Sequence, residues 1–441
     1  MRTLRTRLLS AVILVCAVAV ALAGLAGLTG LAGPAGPNGQ LPSGGAVMPA
    51  TAETADRTEL VRWRTGRELR SGQRDGVRIT RGRLRIADEP AGRVRVRDPW
   101  GSGKRRRFDV GRWTSPWVAP GFPARSLVPS WNAVTRPGTF VRIDVRTRSD
   151  ERTGSWDEVA VWAHQVTAAH RHSGGTQSDD LARLLVDTVV ANDPHRLTGW
   201  QVRVVLFRRS GSTRTPRVAS LGAVAATYLT RDRGTSRTAL DRRRVLRVPP
   251  YSQMVHEGHH PEWNGGGEAW CSPTSVAMVL DHYGRGPTER EYAWTDEPDG
   301  QVDHAARFTY DHAYTGTGNW PFNTAYAGQR GLDAFVTRLH SLRDAERFIA
   351  AGIPLVVSIS FGAGELEGAP LTSTPGHLLV IRGFNARRNV VVNDPAGATN
   401  AEVRRVYRRG QFERAWLRGS GGIAYVIRPL TRALPADSPR W

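Results

Sequence analysis

Three residue types in this chain have the spacing and surroundings to do nucleophilic acyl chemistry. Cys271 lies in Trp270-Cys271-Ser272-Pro273-Thr274-Ser275. The other cysteine of the chain, Cys16, falls inside an N-terminal apolar run. A thiol is a weak nucleophile until it ionises, and a helix N-terminus favours the thiolate through its unpaired N–H groups. An imidazole must then hold the ion pair and later protonate the leaving group, and a third group must orient that imidazole. His377, after Thr374-Pro375-Gly376, has the right type for the first task. Asp394, in Val392-Asn393-Asp394-Pro395, has it for the second, with Asn393 as the substitute. The expected reaction is attack of Cys271 on a peptide or isopeptide carbonyl.

These side chains need elements to carry them. A helix is expected to open at Cys271, with Pro273 in its first turn, where a missing N–H costs nothing. Val276, Val279, Leu280 and Tyr283 share a face, and Gly284 is a natural stop. Further on, Ser341 caps a helix over 342–351, and strands are expected at 353–360, 377–381, 389–392 and 423–428, with a helix at 411–417. Adjacent antiparallel strands joined by Gly383 to Arg388 would set His377 beside Asp394. A cysteine on a helix, with the histidine and aspartate on a sheet, is a papain-like α+β arrangement, expected over 248–430.

The region before it, 58–230, reads as all-β. Strict alternation at 141–146 and 201–207, and short apolar runs at 159–163 and 186–190, are separated by turns such as Arg136-Pro137-Gly138 and Ser210-Gly211-Ser212. A sandwich or jelly-roll-like accessory domain is expected. Its tryptophans Trp113, Trp117, Trp131, Trp156 and Trp162 read as core and turn packing ahead of a carbohydrate-binding surface. Residues 231–247 read as a linker and 431–441 as a tail. At the start, Arg2, Arg5 and Arg7 precede an apolar stretch with Ala21-Leu22-Ala23 as a small-x-small site. Residues 1–35 therefore read as a secretion signal, or as a membrane anchor if uncleaved, followed by a flexible linker over 36–57. A secreted or cell-surface protein is expected.

The formal charge is +21, and only one of the 61 basic residues, Lys104, is a lysine. The arginines are scattered between strands, without a nucleic-acid-binding motif, so no nucleic-acid partner is expected. Basic charge does favour anionic surfaces such as cell-wall polymers, a partner assigned to the N-terminal domain.

Four short blocks occur in a telling order: Val248-Pro249 with Tyr251-Ser252-Gln253, Trp270 to Ser275, Gly376-His377-Leu378-Leu379-Val380, and Val392 to Pro395. Together they resemble the bacteriocin-processing (double-glycine leader) cysteine peptidase family, and in particular its stand-alone exported actinobacterial members. The resemblance implies a Cys271-His377-Asp394 triad, with Gln253 helping to form the oxyanion hole. Ser272 stands where the family usually has glycine, and Gln253 lies further upstream of the cysteine than is usual. The transport domains of the membrane-bound members are missing here, so leader cleavage during export is not implied.

His256-Glu257-Gly258-His259-His260 matches the H-E-x-x-H string of zinc peptidases. That motif needs a helix, and Gly258, Pro261, Pro249-Pro250 and Asn264-Gly265-Gly266-Gly267 all argue for a loop. A looser metal-binding or substrate-gating loop remains open, and His304 and His312 are expected to be loop residues near the cleft rather than ligands. The expectation is a cysteine peptidase acting on a peptide or protein substrate, with no cofactor and no metal. The alternatives are a cell-wall cross-link endopeptidase or amidase, and a catalytically silent wall- or polysaccharide-binding protein.

Overall fold

A computed structural model describes residues 56–435 apart from 151, 179 and 297. The signal or anchor over 1–35, Cys16, all but the end of the 36–57 linker and the last part of the 431–441 tail lie outside the described residues. Among the described residues no helix is long and apolar enough to cross a membrane.

The N-terminal region is built from two antiparallel sheets of seven and eight strands. The first is centred on Ser126–Val134 and Arg217–Ala226, the second on Thr139–Ser149 and Gly199–Arg209. Alternation along the strands turns Val141, Ile143, Val145, Val202 and Val204 into a common core with Leu127, Trp131 and Leu221 of the other sheet. On the opposite face the alternation breaks at Asp144. It is buried because Arg142 and Arg203 clamp its two oxygens at 2.8 and 2.7 Å. Trp113, Trp131 and Trp162 are core residues. Trp117 and Trp156 are half-buried instead and carry arginines on their faces, Arg148 at 4.2 Å and Arg203 at 4.1 Å from the ring centres. One expected strand is shorter than the sequence suggests. Val186 and Asp187 form the turn between Ala182–Leu185 and Thr188–Ala191, with Val186 at φ +55°, a conformation β-branched residues rarely adopt.

The C-terminal region holds one antiparallel sheet with strand order Asp333–Arg338, Ile423–Arg428, Leu355–Phe361, Thr374–Phe384, Val390–Asn393, Arg404–Tyr407. The helix Cys271–His282 packs on this sheet and is buried from Cys271 to Leu280. Ser275 Oγ donates to the Leu378 carbonyl at 3.2 Å, which pins the helix to the strand carrying His377. Leu342–Ala350 and Arg409–Ser420 cover the other face, around Phe348, Phe412 and Trp416. Two helices that carry no strong sequence signal, Gly300–Thr309 and Trp320–Gln329, fill the space between the Cys271 helix and the N-terminal region.

The two regions share a core. Trp131 and Trp162 meet Phe322 at 6.1 and 5.6 Å between ring centres, in the same apolar cluster as Cys271, Val276 and Met278. Polar contacts reinforce the join. Asn132 donates to Ala334 O (2.7 Å) and accepts from Ala334 N (3.1 Å), and Asp333 sits between Arg62 (2.5 Å) and Arg428 (2.8 Å). Residues 231–247 run along the C-terminal region: Ser236 N donates to Glu413, Arg409 donates to Ser236 O, and Arg244–Val245 pairs with Phe384 and Gly383.

Candidate active site

Cys271 is the first residue of its helix and 2 % exposed. Its thiol is hydrogen-bonded to the His377 imidazole. His377 lies on Thr374–Phe384, opposite Ile359 of the neighbouring strand. On the other side Val380 pairs with Asn393, so the chain leaving Val390–Asn393 carries Asp394 towards His377. The result is a 2.7 Å contact from His377 Nε2 to Asp394 Oδ1. With Nε2 taken by the carboxylate, Nδ1 is the nitrogen left to face the thiol. Antiparallel pairing thus brings together the three residues singled out in the sequence.

Asp394 is buried, and a buried carboxylate needs hydrogen bonds to remain charged. Besides His377, Ala396 N donates to Oδ1 (3.1 Å) and the Tyr407 hydroxyl donates to Oδ2 (2.6 Å). Burial raises the Asp394 carboxyl, but the His377 charge and these donors outweigh it and hold it below the usual carboxylate value. Burial disfavours the His377 cation, yet the Asp394 charge and hydrogen bond, with Cys271 adding to them, push it well above an ordinary histidine. Tyr407 is held protonated, and so remains a donor, by burial and by the adjacent Asp394. Asn393 is no substitute for Asp394 here: its amide points away, to Val248 O, Pro249 O and Met278 Sδ.

Gln253 sits within the same assembly. Its N–H donates to Pro395 O at 2.9 Å, one residue beyond Asp394. Its side-chain amide donates to Glu268 O, three residues before Cys271, and its Oε1 is buried without a partner. The segment between Gln253 and Cys271 loops out and returns. A Cβ on Gly267 would lie 2.3 Å from the His256 carbonyl carbon and 2.5 Å from Gln253 O, so only glycine allows this closure. Ser272, where the resemblance would have glycine, is hydrogen-bonded to the Tyr425 hydroxyl at 3.1 Å. Tyr425 lies in the field of Cys271, and also of Asp187 and Tyr314, which stand on the wall of a neighbouring cavity.

That cavity, about 330 Å³, adjoins His377 through Pro375 and Gly376. Ser358, Ser360 and Trp320 line it from the C-terminal region, and the Leu185–Thr188 turn lines it from the N-terminal region. Asp187 is fixed there by donation from Trp320 N (2.9 Å) and the Thr188 hydroxyl (3.0 Å). Burial pushes its carboxyl up to about 7 against those bonds.

The remaining histidines fall elsewhere. His304 is on the Gly300–Thr309 helix rather than in a loop. It is buried against Tyr326 (2.8 Å), and burial takes its imidazole down to about 3. His312 is in a loop, its ring against His170 and Trp100. Tyr407 and Tyr425 carry no recognisable sequence signal. Arg404-Arg405-Val406-Tyr407 lacks an apolar run, and what gives Tyr407 its place is pairing with Val390 on the Asp394 strand.

Residues 59–226 match the family model described as Peptidase C39 N-terminal domain, and residues 245–423 match that of the Peptidase_C39 like family. No curated protein matches the chain. Among solved structures, a candidate C39-like peptidase from Bacillus anthracis is similar at 16 % identity, with 43 % of this chain and 98 % of that one covered. Its TM-score is 0.29, too low to carry an argument about the fold. The two family matches follow one another with the junction between 226 and 245, so each region of the chain is similar to its own C39 peptidase family.

Proposed function

We propose that the protein is an exported cysteine peptidase that hydrolyses peptide or isopeptide bonds through Cys271, His377 and Asp394. The observation that carries this reading is the continuous contact Cys271–His377–Asp394, with each member buried and the carboxylate braced by Tyr407 and the Ala396 N–H. A helix that presents its first residue to an antiparallel sheet bearing the histidine and the acid supports a papain-like unit. The paired sheets before it support a sandwich-like accessory domain.

In the proposed reaction the Cys271 thiolate bonds to the carbonyl carbon. The oxyanion is met by the Cys271 N–H and the Gln253 amide, donors of a kind worth about 3 kcal/mol of transition-state stabilisation. Collapse breaks the C–N bond, and the His377 cation passes its proton to the leaving amine. Water then attacks the thioester with His377 as base, releasing the acid and restoring the thiolate. Asp394 orients the ring and stabilises its charged form throughout. The cavity beside Gly376 is of a size for a substrate side chain. Its mixed lining would make the N-terminal region part of the specificity surface.

The test compares wild type, Cys271→Ala and His377→Ala on a peptide library and on peptidoglycan, with iodoacetamide labelling of Cys271 alongside. Cleavage is expected only with wild type, and fast labelling is expected to vanish in His377→Ala. Equal behaviour of wild type and Cys271→Ala would leave the protein as a binding scaffold.

A further inference from the structure

The segment between Gln253 and Cys271 holds a second cluster of reactive side chains. His256 and His259 come from it, and Asp303 comes from the Gly300–Thr309 helix. Their ligand atoms lie within 4.8 Å of one another. His256 Nδ1 stands 2.9 Å from Asp303 Oδ2, and His259 Nδ1 stands 3.1 Å from Asp303 Oδ1. His256 and Asp303 are both completely buried.

The close pair His256–Asp303 does not behave as a hydrogen bond. Neither ring nitrogen of His256 has a hydrogen-bond partner, and neither does Asp303 Oδ2, despite the 2.9 Å separation. Buried polar atoms are almost always paired, so the two orphaned atoms that face each other here, His256 Nδ1 and Asp303 Oδ2, call for a missing partner. A cation accepts lone pairs from both groups at once, which a hydrogen bond between them does not require. Ligands at about 2.0–2.1 Å in a tetrahedron stand roughly 3.3 Å apart, close to the spacings seen here.

We infer that His256, His259 and Asp303 bind a divalent transition-metal ion of the zinc class. Two imidazoles and one carboxylate suit zinc, and too few oxygens are present for calcium or magnesium. The pair used is His256 with His259, not the His256–His260 pair of the H-E-x-x-H string. His260 turns away to Thr295 (3.1 Å) and stacks on Trp263. The ion's role is structural. It clasps the loop to the Gly300–Thr309 helix, and that loop runs from Gln253 at one end to Cys271 at the other. Metal content is thus tied to the placement of Gln253 without the ion entering the reaction.

The test uses the full chain carrying Cys271→Ala, so that no catalytic thiolate competes for metal. After equilibrium dialysis against micromolar zinc chloride, elemental analysis is expected to give roughly one zinc per chain. His259→Ala, whose side chain is partly exposed and which should fold, is expected to lose most of it, as is Asp303→Asn. Chelator should lower the melting temperature of the parent and leave that of Asp303→Asn unmoved. Cobalt loading should give the intense visible bands of a four-coordinate site in the parent alone. Zinc well below stoichiometric in the parent, or equal zinc in the parent and both variants, would overturn the proposal. Neither result would bear on the Cys271 chemistry.

Discussion

Asp394→Asn isolates the electrostatic part of the site. In the wild type, Asp394 Oδ1 accepts a hydrogen bond from His377 Nε2–H while Oδ2 accepts one from the Tyr407 hydroxyl. Asparagine keeps both contacts if its oxygen faces His377 and its amide donates to a Tyr407 hydroxyl that has turned to accept. Geometry is therefore retained while the charge is lost. The Asp394 charge and hydrogen bond are the main influences raising His377, so their removal lowers the pH at which the imidazolium deprotonates. A hydrogen bond to a charged partner is worth about 1.5–3 kcal/mol, and a tenfold change in a proton equilibrium corresponds to about 1.4 kcal/mol. The imidazolium of the variant should accordingly deprotonate at a pH lower by about one to two.

The sign follows from which form works. The imidazolium is needed both to hold the thiolate and to protonate the leaving amine, so activity falls on the alkaline side as His377 loses its proton. In the pH interval between the variant's alkaline limb and that of the wild type, the variant should therefore be roughly 10- to 100-fold less active, in step with its protonated fraction. The assay is the pH profile of iodoacetamide labelling of Cys271 beside that of peptide hydrolysis, with thermal melts to establish that both proteins are folded. The alkaline limb of hydrolysis should move to lower pH in the variant. Superimposable profiles would refute the idea that Asp394 sets the charge of His377.

Two further outcomes follow from the geometry. Gln253→Ala should lower kcat about 100-fold, equivalent to about 3 kcal/mol, while the labelling rate of Cys271 stays near wild type, because an oxyanion donor acts after thiolate formation. A parallel fall in labelling would mean that Gln253 only supports the loop through Glu268 O. Asp333→Ala would strand Arg62 and Arg428 in the join between the regions and should cost about 3–5 kcal/mol in urea unfolding, with one shared transition rather than two. Burial raises the Asp333 carboxyl but the two arginines hold it below its usual value. Its stabilising effect is thus present above the unfolded value of about 3.9 and lost as pH falls through the folded one.

Local signals carried the sequence reading where structure is locally determined. Pro273 and Gly284 bracket a helix that runs Cys271–His282, and alternation found the long strands Thr139–Ser149 and Gly199–Arg209. His377 and Asp394 were legible together because two strands joined by a short turn must pair. What stayed hidden depends on remote partners. Tyr407 reaches Asp394 only because its edge strand joins the sheet, and Ser272 meets Tyr425 from the far end of the chain. The Gly300–Thr309 helix, which supplies Asp303, buries polar Asp303 and His304 on its inner side, so its apolar pattern is interrupted where it matters. The Val186–Asp187 turn places a β-branched residue at positive φ, which turn propensities argue against.

The long separation of Gln253 from Cys271 weakens the oxyanion reading only if distance along the chain is taken for distance in space. Loop closure becomes costlier slowly, by about 0.6 kcal/mol for each doubling of length. An inserted loop therefore need not displace the residues at its ends, provided that something fixes its return. Here Gly267 lies against the His256 and Gln253 backbone, Trp270 Nε1 donates to Trp263 O at 2.6 Å, and the Gln253 amide holds Glu268 O. The His256–His259–Asp303 cluster adds an anchor outside the loop itself. On this reasoning the insert and its anchors form one device. Loosening the clasp should disturb the Gln253 contribution to kcat before it disturbs the ionisation of Cys271, because Cys271 is fixed independently through the Ser275–Leu378 bond and the buried body of its helix.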